Sequence, residues 1–180
     1  MWHDINTKLF LLINASEHAS KSFIYFAIFC ANYLIYLPII VLVVYWFTKP
    51  LSRTLIIKVF MTLLLALLIT FVIRHLFYSP RPFALEIGTN YLHHEKNSSL
   101  PSQHAVFIGA ICFSVLFNYQ HKYKKLILLF TGIAILICWS RIYLGIHWPL
   151  DIVIGFIISG LSAFIVKKIW IIFFKKSAYK

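Results

Sequence analysis

Five apolar runs, separated by short charged turns, set the pattern of this chain. Residues 22–48 hold no charged side chain over 27 positions, and about 20 apolar residues suffice for a helix to cross a bilayer. Pro38 within that run predicts a kink, which neighbouring helices can tolerate. After the basic turn TKPLSR, residues 55–73 predict a second crossing, with Lys58 snorkelling toward its end. A third opens at Pro101 and runs to about Tyr119, with Ser98 or Ser99 as its cap and Pro101 at the first helical position. The turn QHKYKK leads into a fourth run at 126–140, and a fifth at 150–166 continues into a Lys-rich tail. Ahead of them all, Ile5, Leu9, Leu12 and Ile13 share one helical face in an otherwise polar stretch, predicting an interfacial helix too short to cross. The longest polar interruption, 77–100, is rich in Pro, Gly, Asn and Ser and reads as a loop whose length points to function. The expected fold is an all-α polytopic membrane bundle of five transmembrane helices, six at most, with an N-terminal interfacial helix. Residues 1–180 form a single integral membrane domain on this reading.

Composition agrees: 61% of residues are apolar and 12% charged, against about 25% charged in soluble domains. The net charge of +12 raises nucleic acid as a partner, but the Lys and Arg residues sit at the ends of apolar runs, as membrane topology requires, so nucleic acid is excluded. With the two basic turns and the C-terminus inside, that side holds 11 of the 17 basic residues and none of the five acids. The positive-inside rule then places the N-terminus and the loop 77–100 outside. Fifteen uncharged residues separate Lys58 from Arg74, Lys125 from Arg141 and Asp151 from Lys167. A 15-residue helix is about 22 Å long, short of a hydrocarbon core of about 30 Å. Arg74, Arg141 and Asp151 are therefore expected at the outer lipid boundary, within reach of an amphiphile. Cys30, Cys112 and Cys138 all lie in apolar runs without metal-ligand spacing, predicting neither disulfide nor metal site. No cleavable signal peptide is expected, since no basic stretch precedes the short block 9–13.

Three clusters near the outer boundary carry chemistry. They are RHLFYSPRP at 74–82, PSQH at 101–104 and CWSRIYLGIHWPLD at 138–151. Ionisable residues beside lipid-length segments are costly and are functional candidates for that reason. Arg74, Arg81 and Arg141 supply forked donors suited to phosphate. Ser102 and the first-turn amides of the third crossing form an anion site at a helix N-terminus. His104, in the same turn, suits a general acid. His147 and Asp151, four apart across Pro149, form a pair in which the carboxylate holds one ring nitrogen and leaves the other for substrate. The residues 93–95, His-His-Glu, read as a solvated loop, and His3, His18, His75 and His121 as interfacial or loop residues. A channel or a non-enzymatic lipid binder is disfavoured because polar residues do not continue down the crossings.

These clusters resemble the signature of the type-2 phosphatidic acid phosphatase superfamily, K-x6-R-P, P-S-G-H and S-R-x5-H-x3-D, in the right order. SPRPF, SLPSQHA and WSRIYLGIHWPLD are most similar to the bacterial bacitracin-resistance type of undecaprenyl pyrophosphate phosphatase. The resemblance implies His147 as a nucleophile forming phosphohistidine, Asp151 as its orienter and His104 as proton donor to the leaving group. It implies phosphate binding by Arg74, Arg81, Ser102, Gln103 and Arg141, and no metal or other cofactor. Arg74 stands where the family has Lys, and Gln103 where it has Gly. The implied reaction is hydrolysis of undecaprenyl diphosphate, recycling the cell-wall lipid carrier, with the site facing outward from the bacterial inner membrane. Phosphatidylglycerol phosphate, phosphatidate, lipid A phosphates or phosphate transfer to another lipid are the alternatives on the same site.

Overall fold

The computed structural model describes residues 2–49, 53–92, 94–118 and 120–175. His93, Tyr119, Lys176 and Lys180, which entered the sequence reading, lie outside the described residues. Helices run as α1 Trp2–Ile13, α2 Lys21–Asn32, α3 Tyr36–Thr48, α4 Arg53–Leu76, α5 Gln103–Phe117, α6 Lys124–Tyr143 and α7 Pro149–Trp170, and no strand occurs among the described residues. α4, α6 and α7 are each long and apolar enough to cross a membrane, and α2 and α3, bent by 42° at their break, are so only when taken together. α5, with 15 residues, falls below that length.

Two expectations are corrected at the helix boundaries. The run 22–48 is two helices, and its break lies at residues 33–35, ahead of Pro38 rather than at it. Proline lacks the N–H that would bond back to residue 34, so the chain restarts and Pro38 lands in the first turn of α3, where that donor is not needed. The third crossing begins at Gln103 with Ser102 as its N-cap, so neither Ser98 nor Ser99 caps it. Lys58 is also tied down: its Nζ donates to Asn118 Oδ1 at 2.7 Å and lies 5.2 Å from the Trp170 ring.

The core bundle is α4 to α7, with α5 in its middle. Ala105, Val106, Ile108, Ala110, Ile111 and Val115 are wholly buried on different faces of α5, as befits a helix apolar all round. α5 meets α4, α6 and α7. Its approach to α7 is close because the facing residues are small, the usual basis of helix association in lipid. A methyl added at Gly155 would lie 3.0 Å from Ala105 Cβ, and one at Gly109 2.9 Å from Ser159 Oγ. Ser159 Oγ also sits 2.8 Å from the carbonyl of Val106, so a hydroxyl crosses the seam. α1 keeps the exposed apolar face expected of an interfacial helix and is also tied to the bundle. Phe10 is fully buried, 5.1 Å from the Trp148 ring, while Ile5, Leu9 and Leu12 remain exposed.

Gly155→Val should therefore destabilise the protein by about 1–3 kcal/mol through overpacking. Gly132→Ala, in the interior of α6 where an added methyl meets nothing within 4 Å, should leave stability unchanged or raise it by up to about 1 kcal/mol. Thermal unfolding in detergent measures both, and equal melting temperatures would refute a close α5–α7 seam.

Candidate active site

The alternating direction of α4 to α7 brings the C-terminal ends of α4 and α6 beside the N-terminal ends of α5 and α7. Arg74 lies in the last turn of α4 and Arg141 in that of α6. Asp151 lies in the first turn of α7, and Ser102 caps α5. Two helix N-termini adjoin here, since the Ser102 N–H donates to the Asp151 carbonyl at 3.2 Å. The loop between α4 and α5 folds over these ends and delivers Arg81. Arg81, Arg141, His147 and Asp151 are no more than 4% exposed.

Asp151 Oδ2 is the hub. It accepts the Trp148 N–H at 2.9 Å and faces His147 Nδ1 at 3.2 Å. It also accepts a short hydrogen bond from the Ser99 hydroxyl, which itself lies 3.2 Å from His147 Nδ1. The other ring nitrogen, His147 Nε2, points the opposite way, 3.3 Å from Arg81 Nη1. Burial, followed by the charges of Arg81 and Arg141, holds His147 well below the ordinary imidazole range, so the ring is neutral near pH 7. With Nδ1–H committed to the carboxylate, Nε2 carries the lone pair; it accepts from Arg81 Nη1 in the empty site and turns to an electrophile that displaces this contact.

Around that nitrogen the arginines are in two conditions. Arg81 is saturated: Nη1 donates to the Ile146 carbonyl at 3.0 Å, and Nη2 and Nε donate to Asn97 Oδ1 at 2.8 and 3.2 Å. Arg74 reaches the same Asn97 oxygen at 3.0 Å and the Pro101 carbonyl at 3.1 Å. Burial, with Arg74 and Arg141 adding, brings Arg81 down to about 10, still charged at neutral pH. Arg141 differs: its buried Nε has no partner, and neither does the buried Ser102 hydroxyl. Three cations against one carboxylate, with donors left open, make an electropositive recess built for an anion.

His104 lies one residue into α5, partly buried, within electrostatic reach of Arg141, His147 and Arg81. Gln103 is exposed and lines a cavity with Arg74. All eight residues singled out from the sequence thus sit at one end of the bundle. The boundary expectation is refined, since Arg141 and Asp151 are almost wholly buried and Arg74 is partly exposed. The solvated loop expected at 93–95 is corrected at His94, which is partly buried and within reach of Arg81, Arg141 and Arg74.

Sequence reasoning missed Asn97 and Ser99, whose only signal was their place just before PSQH in a polar loop. It also missed two braces from the N-terminal segment. Asn14 Nδ2 donates to the carbonyls of Thr89 and Tyr143 at 2.9 and 3.0 Å, and its Oδ1 accepts the Thr89 N–H at 2.7 Å. Gly145, at φ +83°, lies so close to the Thr89 carbonyl that no side chain fits. Asn6 Oδ1 accepts the Leu150 N–H, an orphan donor of α7, at 3.0 Å.

Comparison with known proteins gives concordant results. Residues 55–174 match the PAP2 superfamily. YbjG of Escherichia coli is 36% identical over 171 residues, covering 94% of this chain and 85% of its own. The undecaprenyl-diphosphatase BcrC of Bacillus subtilis is 25% identical over 164 residues, covering 89% of this chain and 82% of its own. The crystal structure of Aquifex aeolicus LpxE superposes with a TM-score of 0.70 at 23% identity, over 91% of this chain and 95% of that one, and so shares the fold.

Removing the Ser99 hydroxyl deletes a hydrogen bond to a buried carboxylate, worth about 1.5–3 kcal/mol. Ser99→Ala should lower kcat/KM by roughly 10- to 100-fold, and by far less in an Asp151→Asn background. Steady-state kinetics of the double-mutant cycle tests this, and additive losses would refute coupling. A second measurement uses pH. A histidine whose folded pKa is depressed leaves the unfolded chain holding more protons below about 6.5. Wild-type protein should therefore lose thermal stability relative to His147→Gln as pH falls from 7 to 5. Parallel stability profiles would show that His147 is not held neutral.

Proposed function

The chain belongs to the PAP2 superfamily, and from that premise we propose that it hydrolyses undecaprenyl diphosphate to undecaprenyl phosphate and phosphate, through a phosphohistidine at His147. It is a multi-pass membrane protein and a lipid diphosphate phosphatase. The carrier lipid and the catalytic roles are the proposal. The named activity of the Bacillus subtilis relative supports the substrate. One geometric observation carries the chemistry: His147 is pinned at Nδ1 by Asp151, and its Nε2 faces Arg81 beside the open donors of Arg141 and Ser102.

The terminal phosphoryl group sits in this recess, its oxygens taken by Arg141, Ser102, the first-turn amides of α5 and the one Arg81 Nη1–H that the empty site gives to His147 Nε2. Such preorganised donors stabilise charge that develops in the transition state. The His147 Nε2 lone pair forms the N–P bond as the bond from phosphorus to the bridging oxygen breaks. His104, which takes up a proton as the anionic substrate fills the recess, gives it to the departing lipid phosphate. His104 then takes a proton from a water, which attacks the phosphorus, breaks the N–P bond and releases phosphate. Asp151 stabilises the ring throughout by holding Nδ1–H.

In a bacterial inner membrane, with the basic turns inside, this site faces outward and regenerates the carrier where diphosphate is released by cell-wall synthesis. No observation favours a second substrate class over this one.

Phosphate release from a panel of purified lipids decides the substrate: undecaprenyl diphosphate, phosphatidylglycerol phosphate and phosphatidate, in one detergent. The expected order has undecaprenyl diphosphate first by at least about tenfold in kcat/KM. A higher value for either phospholipid would replace the substrate while keeping the chemistry. For the chemistry itself, acid-labile phosphate from a labelled substrate should be trapped on His147 and be lost in His147→Ala. Label on Ser102, or near-normal turnover in the variant, would overturn the mechanism.

A further inference from the structure

Two cavities flank the site, one against Asp151 and one against Arg74, and they differ in charge. One, of about 270 Å³, lies behind the His147–Asp151 pair; Asn6, Trp148 and Asp151 line it, and no cation does. The other, of about 280 Å³, opens between the outer ends of α4 and α5, lined by Phe71, Arg74, His75, Asn97, Ser98 and Gln103. A dianion suits only the second.

We propose that this second cavity binds the phosphate that stays on the lipid, so that Arg74, Gln103 and His75 form a leaving-phosphate subsite and make the enzyme select diphosphates over monophosphates. The inference rests on the reading of the site as a diphosphate phosphatase and adds where the second phosphate goes.

Three observations place it there. In-line displacement puts the leaving oxygen opposite the attacking nitrogen. A chain of contacts links His147 Nε2 to Arg81 Nη1 at 3.3 Å, Arg81 to Asn97 Oδ1, which it shares with Arg74, and Asn97 and Arg74 to the cavity they line. Arg74 is thus one amide oxygen removed from Arg81, a spacing that lets adjacent phosphates of one diphosphate engage each arginine.

The second observation is exposure. Arg81 and Arg141 are enclosed, Arg74 is partly buried, and Gln103 and His75 are exposed. A phosphate joined to a hydrocarbon must sit where its ester can leave toward lipid, and Phe71 at the cavity wall is 62% exposed. The third is donor chemistry. Gln103 carries an amide NH2 at the start of α5, beside the N-terminal amides of that helix. His75 stacks on Phe71 with ring centroids 5.5 Å apart, which places the imidazole at the rim. A monophosphate ester held in the inner recess would place its alkyl chain, rather than an anion, against these donors and leave them unpaired.

The test uses purified protein, a soluble fluorogenic phosphate monoester as reporter, and inorganic pyrophosphate and orthophosphate as competing inhibitors. Pyrophosphate can fill both recesses and orthophosphate one. Pyrophosphate should inhibit wild-type protein at about tenfold lower concentration, the worth of one charge-assisted contact. Gln103→Ala and His75→Ala should each narrow that gap at least threefold, and Phe71→Trp, which fills the cavity, should close it. These residues are exposed, so the folded state does not depend on their contacts, and circular dichroism verifies it. In the same variants kcat/KM for farnesyl diphosphate should fall more than that for farnesyl monophosphate. Equal inhibition by the two anions in wild type, or a gap that survives in all three variants, overturns the subsite. Failure of the substrate reading looks different: the lipid panel would then favour phospholipid monoesters, while the inorganic anions still decide whether a second phosphate binds beside Arg74.

Discussion

A carboxylate and three guanidinium groups at the edge of a membrane impose the constraint on which this structure depends: each must be solvated by protein. Desolvating an ion costs several kcal/mol unless hydrogen bonds replace its water. For Asp151 the replacement is the Trp148 N–H, the Ser99 hydroxyl and the His147 ring on a single oxygen. For Arg81 it is the carbonyls of Ile146 and Ser98 with the amide oxygen of Asn97. The long loop between α4 and α5 exists at this price in ordered chain. Its polar residues are an inner solvent, and the N-terminal segment braces it through Asn14.

Helix direction adds to this. The macrodipole favours cations near helix C-termini and anions near N-termini. Arg74 and Arg141 occupy the first kind of place and Asp151 the second. The free N-terminus of α5 is left without a carboxylate, and the unpartnered Ser102 hydroxyl marks that gap. Small residues along the α5–α7 seam hold the two N-termini within one hydrogen bond of each other. Tight packing deep in the bundle is therefore also what fixes the distance between the anion recess and the nucleophile's orienter.

This explains what could be read in the sequence. Arg74, Arg81, Arg141, His147 and Asp151 stand out because each is an ionisable residue beside a lipid-length run, and the all-helical membrane class follows from the same contrast, whereas the expected five crossings are met by three long helices, a bent pair and the shorter α5. Asn97 and Ser99 do not stand out, because a polar residue in a polar loop carries no periodic signal whichever way it faces. Asn6 and Asn14 lie more than 120 positions from Leu150 and Tyr143, the residues they bond. The break before Pro38 was misplaced for a local reason, since the disturbance from proline falls on the turn preceding it. Lys58 was read as snorkelling because Asn118, its acceptor, belongs to a helix end 60 residues on.

The distribution of spent and open donors separates scaffold from site more sharply than residue type does. Arg81 and Arg141 are the same side chain, equally buried, yet Arg81 is satisfied by protein and Arg141 keeps an open Nε. A buried donor without a partner costs about 1–3 kcal/mol, and folding alone gives no return on it. That cost is recovered when an anion arrives, so Arg141 and Ser102 contribute binding that the empty protein has already been shaped to give. Arg81 works differently: fixed by Asn97, it orients charge beside His147 without needing the anion to order it. One arginine supplies preorganisation and the other affinity, and a phosphoryl group meeting both finds its oxygens bound where His147 Nε2 can reach the phosphorus.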